Sequence, residues 1–83
     1  MSPKFKEQNG FVFKIFSNEE ARIHIHIIKA EKEAKYWLEP DMELAENYGF
    51  NNKELSFIFE ILTEYGDYFK VKFTRHVGKR LDD

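Results

Sequence analysis

Two histidines set two apart, His24 and His26 in the run R-I-H-I-H-I-I-K, are the residues best suited to chemistry in this 83-residue chain. On a strand, residues two apart point the same way, with Cβ atoms about 7 Å from each other. That spacing lets two imidazoles reach one metal ion, yet a transition-metal site normally draws on at least three protein ligands. No third ligand is local. His76, Glu39 or Glu33 would have to be carried in by the fold, so His24 and His26 stand only as weak metal candidates and no cofactor is assigned. The same pair could serve without metal as acid and base on an RNA phosphodiester, with Lys35 or Arg22 steadying the charge. Trp37 would then offer a stacking platform for a base. An H-x-H pair on a strand is a weak signal for either chemistry. The bland reading is a half-exposed sheet face on which His24 packs against Trp37.

Other catalytic signatures are missing. The sequence has no dinucleotide fingerprint, no Gly-rich phosphate loop and no helical His-Glu zinc motif. Its three histidines and three serines do not make a Ser-His-acid arrangement at these positions. With 13 Lys plus Arg against 15 Asp plus Glu the formal charge is −2, and binding through nucleic-acid phosphates usually shows a basic excess. Nucleic acid is therefore a possible partner but not a favoured one. Absence of cysteine removes disulfides and thiolate metal sites and suits the cytoplasm. The N-terminal stretch lacks the apolar run of a signal peptide, and no segment approaches the roughly 18 apolar residues of a membrane span. The expectation is a cytoplasmic protein with no membrane partner.

The elements that must position the histidines follow from periodicity. A chain of this size makes one domain, 1–83, and its nine Phe supply core mass without staples. Residues 1–9 read as a frayed terminus and 79–83 as a tail. Phe11 to Phe16 is a strand, and Ser17 to Glu20 is a turn. Arg22 to Lys29 alternates Ile23, Ile25 and Ile27 with His24, His26 and Ile28. A hairpin loop centred on Ala30-Glu31, of two or four residues, pairs Ile27 with Ala34, Ile25 with Tyr36 and Ile23 with Leu38. It also sets His26 opposite Lys35 and His24 opposite Trp37. Ala and Glu are poor residues for a tight primed turn, so four residues is the expected loop length. Pro40 ends the strand Glu33 to Leu38. Met42 and Leu44 suggest a short edge strand rather than a helical turn, and Asn47-Tyr48-Gly49 a turn.

Asn51 and Glu54 have capping-box spacing. Leu55, Ile58, Phe59, Leu62, Tyr65, Phe69, Phe73 and Val77 then mark one face of a helix from about Lys53 to His76. Its length of about 36 Å exceeds a domain of this size, so it should overhang, kink or break, with Gly66-Asp67 the expected weak point and Gly78 the stop. The fold class is α+β: an antiparallel three- to four-stranded meander covered on one face by a long C-terminal helix.

Several runs resemble a known family. F-V-F-K-I-F-S-N-E, H-I-H-I, K-E-A-K-Y-W-L-E-P and L-A-E-N-Y-G-F are similar to domain of unknown function 4160, found in small bacterial proteins, over Phe11 to Val77. The strongest pieces are E-A-K-x-W-L (Glu33, Ala34, Lys35, Trp37, Leu38), the pair His24 and His26, and Gly49-Phe50. The chain departs from the pattern at Arg22-Ile23, where relatives carry proline, at Ala30 to Lys32, where they often have Gly, and at Phe73, where they tend to have Trp. The resemblance implies an uncharacterised protein suspected to belong to toxin–antitoxin-like gene pairs.

The leading functional expectation concerns surface rather than chemistry. If one helix covers one face, His24, His26, Ile28, Lys35 and Trp37 remain on the other, and an aromatic and aliphatic exposed face marks a partner site. The partner would be a second copy or a cognate protein from a neighbouring gene. A metal-independent ribonuclease-type toxin using His24, His26 and Lys35, or a metal-binding protein, are the alternatives. The acidic middle (Glu39, Asp41, Glu43, Glu46) reads as a solvated edge or half of a contact. The basic end (Lys70, Lys72, Arg75, Lys79, Arg80) reads as cations complementing the helix dipole.

Overall fold

The computed structural model describes residues 4–15 and 22–81, the last five of these by backbone alone. Along them run β1 (Lys4–Gln8), β2 (Phe11–Lys14), β3 (His24–Lys29), β4 (Lys32–Trp37), β5 (Glu43–Tyr48) and α1 (Asn52–Leu81). The strands pair in sequence order, each antiparallel to the next. This is the expected α+β meander with its C-terminal helix, extended by one strand at the N-terminal side. Residues 4–8, expected to fray, are that extra strand. Asn9 and Gly10 turn it back onto β2 with φ of 52° and 82°, the double positive φ of a type I′ turn. Phe16, the Ser17 to Glu20 turn and residues 1–3 lie outside the described residues.

The β3–β4 register is the one that sorts the faces. Ile25 pairs with Tyr36, Ile27 with Ala34, His24 with Trp37 and His26 with Lys35. The Leu38 amide donates to the Ile23 carbonyl at 2.9 Å and carries the ladder one residue further. Pairing reaches Lys29 and Lys32, so the loop is two residues long, not four. Backbone strain is accepted there: Ala30 takes φ 55°, a left-handed conformation that costs an L-residue roughly 1–2 kcal/mol.

The core lies between one sheet face and α1. Phe11, Phe13 and Ile15, Ile25 and Ile27, and Ala34, Tyr36 and Leu38 meet Phe50, Ile58, Ile61, Leu62, Phe69 and Phe73. Phe13 and Phe69 stack with centroids 5.4 Å apart at 12°. Phe59, expected on this helix face, is half exposed, and Ile61 is buried instead. At 100° per residue Phe59 and Ile61 lie at opposite margins of the buried stripe, each roughly a quarter-turn from its centre, and only the Ile61 margin is covered.

The helix neither breaks at Gly66 nor stops at Gly78 but runs to Leu81. Gly costs about 1 kcal/mol in a helix interior. Burial of Leu62 on one side of Gly66 and of Phe69 and Phe73 on the other offsets that cost. At about 1.5 Å per residue its 30 residues span about 45 Å, beyond the sheet they cover. No described helix is long and apolar enough to cross a membrane.

Entry into the helix is closely tied. Asn47 and Tyr48 complete β5 rather than turning, and the chain turns at Gly49 with φ 104°. The Asn47 amide spans the turn: its Nδ2 donates to the Phe50 carbonyl at 3.0 Å, and the Phe50 amide donates to its Oδ1 at 3.1 Å. The capping box is complete, Glu54 N to Asn51 Oδ1 at 2.8 Å and Asn51 N to Glu54 Oε1 at 3.0 Å. Lys32 Nζ adds a 2.7 Å bond to Glu54 Oε2, tying the hairpin to the helix start. These partners, Lys32 first and Asn51 second, hold the Glu54 carboxyl below its ordinary pKa.

Candidate functional site

The sheet face away from the core carries His24, His26, Glu33, Lys35 and Trp37, five of the residues singled out for chemistry. Cross-strand pairing sets Lys14, His26, Lys35 and Glu46 in one row, and His24, Trp37 and Glu43 in another. Glu33 and Ile28 pair in a third. The pairs His26–Lys35 and His24–Trp37 are those expected from the sequence, and Lys14, Glu46 and Glu43 join them from the neighbouring strands.

Their exposure differs from expectation. His24 is fully buried and His26 is only 6% exposed, although an open face was expected. Two physical causes are visible. β3 is the central strand of five, so each imidazole lies between long neighbours, Lys14, Lys35 and Trp37, whose stems cover more than their charged ends suggest. The helix also contributes: the Phe73 ring meets His24 edge-on with centroids 5.1 Å apart. The assumption that α1 touches only the Ile23/Ile25/Ile27 face is therefore corrected at this point.

His24 sits in an aromatic nest. Its ring is edge-on to His26 at 5.3 Å and to Trp37 at 5.7 Å. His24 Nδ1 lies 2.6 Å from the Arg22 carbonyl, which can only accept, so Nδ1 carries the proton. His26 Nδ1 faces Glu33 Oε2 at 3.3 Å. Trp37 is approached by two cations, Arg22 Cζ at 4.1 Å and Lys35 Nζ at 4.4 Å from the ring centroid. The platform expected to stack a base already carries guanidinium and ammonium groups.

Of the proposed third metal ligands, the fold brings Glu33 to His26. Glu39 is engaged elsewhere, its carboxylate 3.2 Å from Lys70 Nζ and its carbonyl accepting from Arg22 Nε at 3.0 Å. His76 lies half-buried on the last third of α1. Among the described residues no group of three His, Asp or Glu converges on a point that could hold a metal ion.

The short edge strand expected around Met42 and Leu44 is present as β5, but it reaches Tyr48 and leaves its large side chains open, which the sequence reading did not anticipate. All six residues of β5 are exposed, with Leu44 at 41% and Tyr48 at 62%. The strand bulges at Ala45, between the Tyr36–Leu44 and Lys35–Glu46 pairs, and among the described residues it pairs only with β4. The available signal was Leu44 and Tyr48 lying on strand with no apolar partner to cover them.

The family model for domain of unknown function 4160 matches residues 10–74 of this chain. The chain belongs to that family. No curated protein and no solved structure matches it. The E-A-K-x-W-L run now has a structural sense in this member. Ala34 lies in the core and Leu38 continues that face, while Glu33, Lys35 and Trp37 point to the histidine side.

Proposed function

We propose that the chain is a small protein-interaction module, acting in the cytoplasm as one component of a toxin–antitoxin-like pair. Its contact surface is the sheet face bearing His24, His26, Ile28, Lys35 and Trp37, together with β5 beside it. The observation that carries this reading is β5: six consecutive strand residues, none of them buried, including Leu44 and Tyr48. A strand held in a sheet by one ladder and no side-chain burial gains most from a partner that covers it. In this reading the buried histidines do not touch the partner. They hold Trp37, and with it Arg22 and Lys35, at the surface.

Solution mass, measured alone and with the product of the neighbouring gene, tests the proposal. The expected result is a homodimer or a complex, weakened by about tenfold or more in Trp37→Ala. A monomer that ignores that product overturns it. The ribonuclease reading draws on Lys14 and Lys35 flanking His26, and the burial of both imidazoles weighs against it. Equal cleavage of RNA by the parent, His24→Ala and His26→Ala would end it.

A further inference from the structure

We propose that the outer edge of β5, with the cleft beside Gly66, receives a basic extended segment of a partner protein as an added strand. This rests on the interaction reading above and gives the partner its chemistry. The two sheet edges are not alike. β1 is blunted as natural edges usually are, by Lys4 and Lys6 and by a bulge at Phe5. It is also tied to the helix, where Tyr68 Oη donates to the Phe5 carbonyl at 3.3 Å. β5 also bulges, at Ala45, and carries Glu43 and Glu46, but it has no Lys, Arg or Pro and buries none of its residues. Addition of a strand to such an edge draws affinity from main-chain bonds and specificity from alternate side chains.

Those alternate side chains would meet two different surroundings. On the histidine side the edge presents Glu43, Glu46 and Tyr48, with Asp41 just before the strand. Charge complementarity there selects lysine or arginine. On the helix side Leu44 shares its face with Met42, which lines a cleft of about 290 Å³ with Leu38, Leu62 and Gly66 and with the charged Asp41, Glu64, Asp67 and Lys70. A Cβ built on Gly66 meets nothing within 4 Å, so the cleft has room for an incoming side chain, whose apolar part would meet Leu38, Met42 and Leu62. The segment that fits therefore alternates basic with apolar residues. A second copy offers a poorer match, because pairing β5 with itself sets two strands of net charge −2 side by side.

The test uses three synthetic peptides of equal length: one alternating lysine with valine, one of equal charge interrupted by prolines, and one alternating glutamate with valine. Amide shifts and hydrogen exchange of the full chain are followed by NMR. The lysine–valine peptide should perturb Glu43–Tyr48 and slow exchange there by about tenfold or more, and the other two should not. Glu43→Lys with Glu46→Lys, both on exposed positions, should weaken that binding by about tenfold while leaving the circular dichroism unchanged. Equal binding of the proline peptide, or perturbation mapped away from β5, overturns the proposal. A peptide-free dimer with β5 amides already protected would assign the edge to a second copy and overturn it too. A neighbouring-gene partner whose footprint lies elsewhere would leave the interaction reading standing and remove this one.

Discussion

His24 shows how a residue chosen for reactivity can act through packing. Its ring is closed in by His26, Trp37 and Phe73 and bonded to the Arg22 carbonyl, so it joins β3, β4 and the helix at one point. Truncation to alanine leaves a cavity among three rings and removes the carbonyl's partner. His24→Ala should cost about 2–4 kcal/mol, in line with other large-to-small changes at buried sites, read as a shift of the urea midpoint. A midpoint equal to that of the parent would deny the ring any structural weight. Glu54 makes the opposite kind of contribution, through charge. Its carboxyl is held below its ordinary pKa by Lys32 and by the Asn51 amide, so the folded state favours the ionised form. Such a group stabilises above its unfolded pKa of about 4.3, and that stabilisation is lost as pH falls through the lower folded value. Glu54→Gln should therefore lower stability at neutral pH, and the gap from the parent should close on acidification below about pH 4. Parallel stability curves for the two proteins across that window would contradict the assignment.

At the scale of elements, most of the sheet was legible because its residues sort by face. Ile25, Ile27, Ala34 and Tyr36 can share a core only in one register, and that register is observed. The capping box was legible for a similar reason, since Asn51 and Glu54 satisfy each other's backbone amides at a fixed spacing. β1 was not, because K-F-K-E-Q carries one apolar residue and no alternation, and Asn9-Gly10 was the only cue to a hairpin there. The burial of His24 and His26 was also hidden. It depends on the stems of Lys14 and Lys35 and on Phe73, far away in the chain, and no local pattern encodes those contacts. Gly66 misled in the other direction. Its low propensity pointed to a break, yet flanking buried residues keep the helix whole. Because a Cβ at Gly66 would meet nothing within 4 Å, Gly66→Ala should raise stability by about 0.5–1 kcal/mol, seen as a higher melting temperature. A fall would show that the cleft closes on Gly66 in solution.

At the scale of the whole molecule, the family match begins at residue 10, just past β1, so the outermost strand lies beyond the shared part. That strand is nevertheless built into the core. Phe5 stacks on Phe69 with centroids 6.5 Å apart, Tyr68 donates to the Phe5 carbonyl, and Lys6 Nζ sits 4.1 Å over the Tyr65 ring. Without β1, the edge of the sheet would be β2, whose F-V-F-K carries three apolar residues and no bulge against β3. A flat apolar edge of this kind is a template for pairing with other chains. The chain lacking residues 1–8 should lose at least about 2 kcal/mol, which for a domain of 83 residues is roughly 8–16 °C in Tm. It should also self-associate in sedimentation at concentrations where the full chain does not. Phe5→Ala separates the two effects, since it removes the stacking on Phe69 and leaves the strand in place. That variant should melt earlier than the parent yet keep the parent's mass. A truncated chain with unchanged melting and unchanged mass would show that β1 neither stabilises the sheet nor guards its edge.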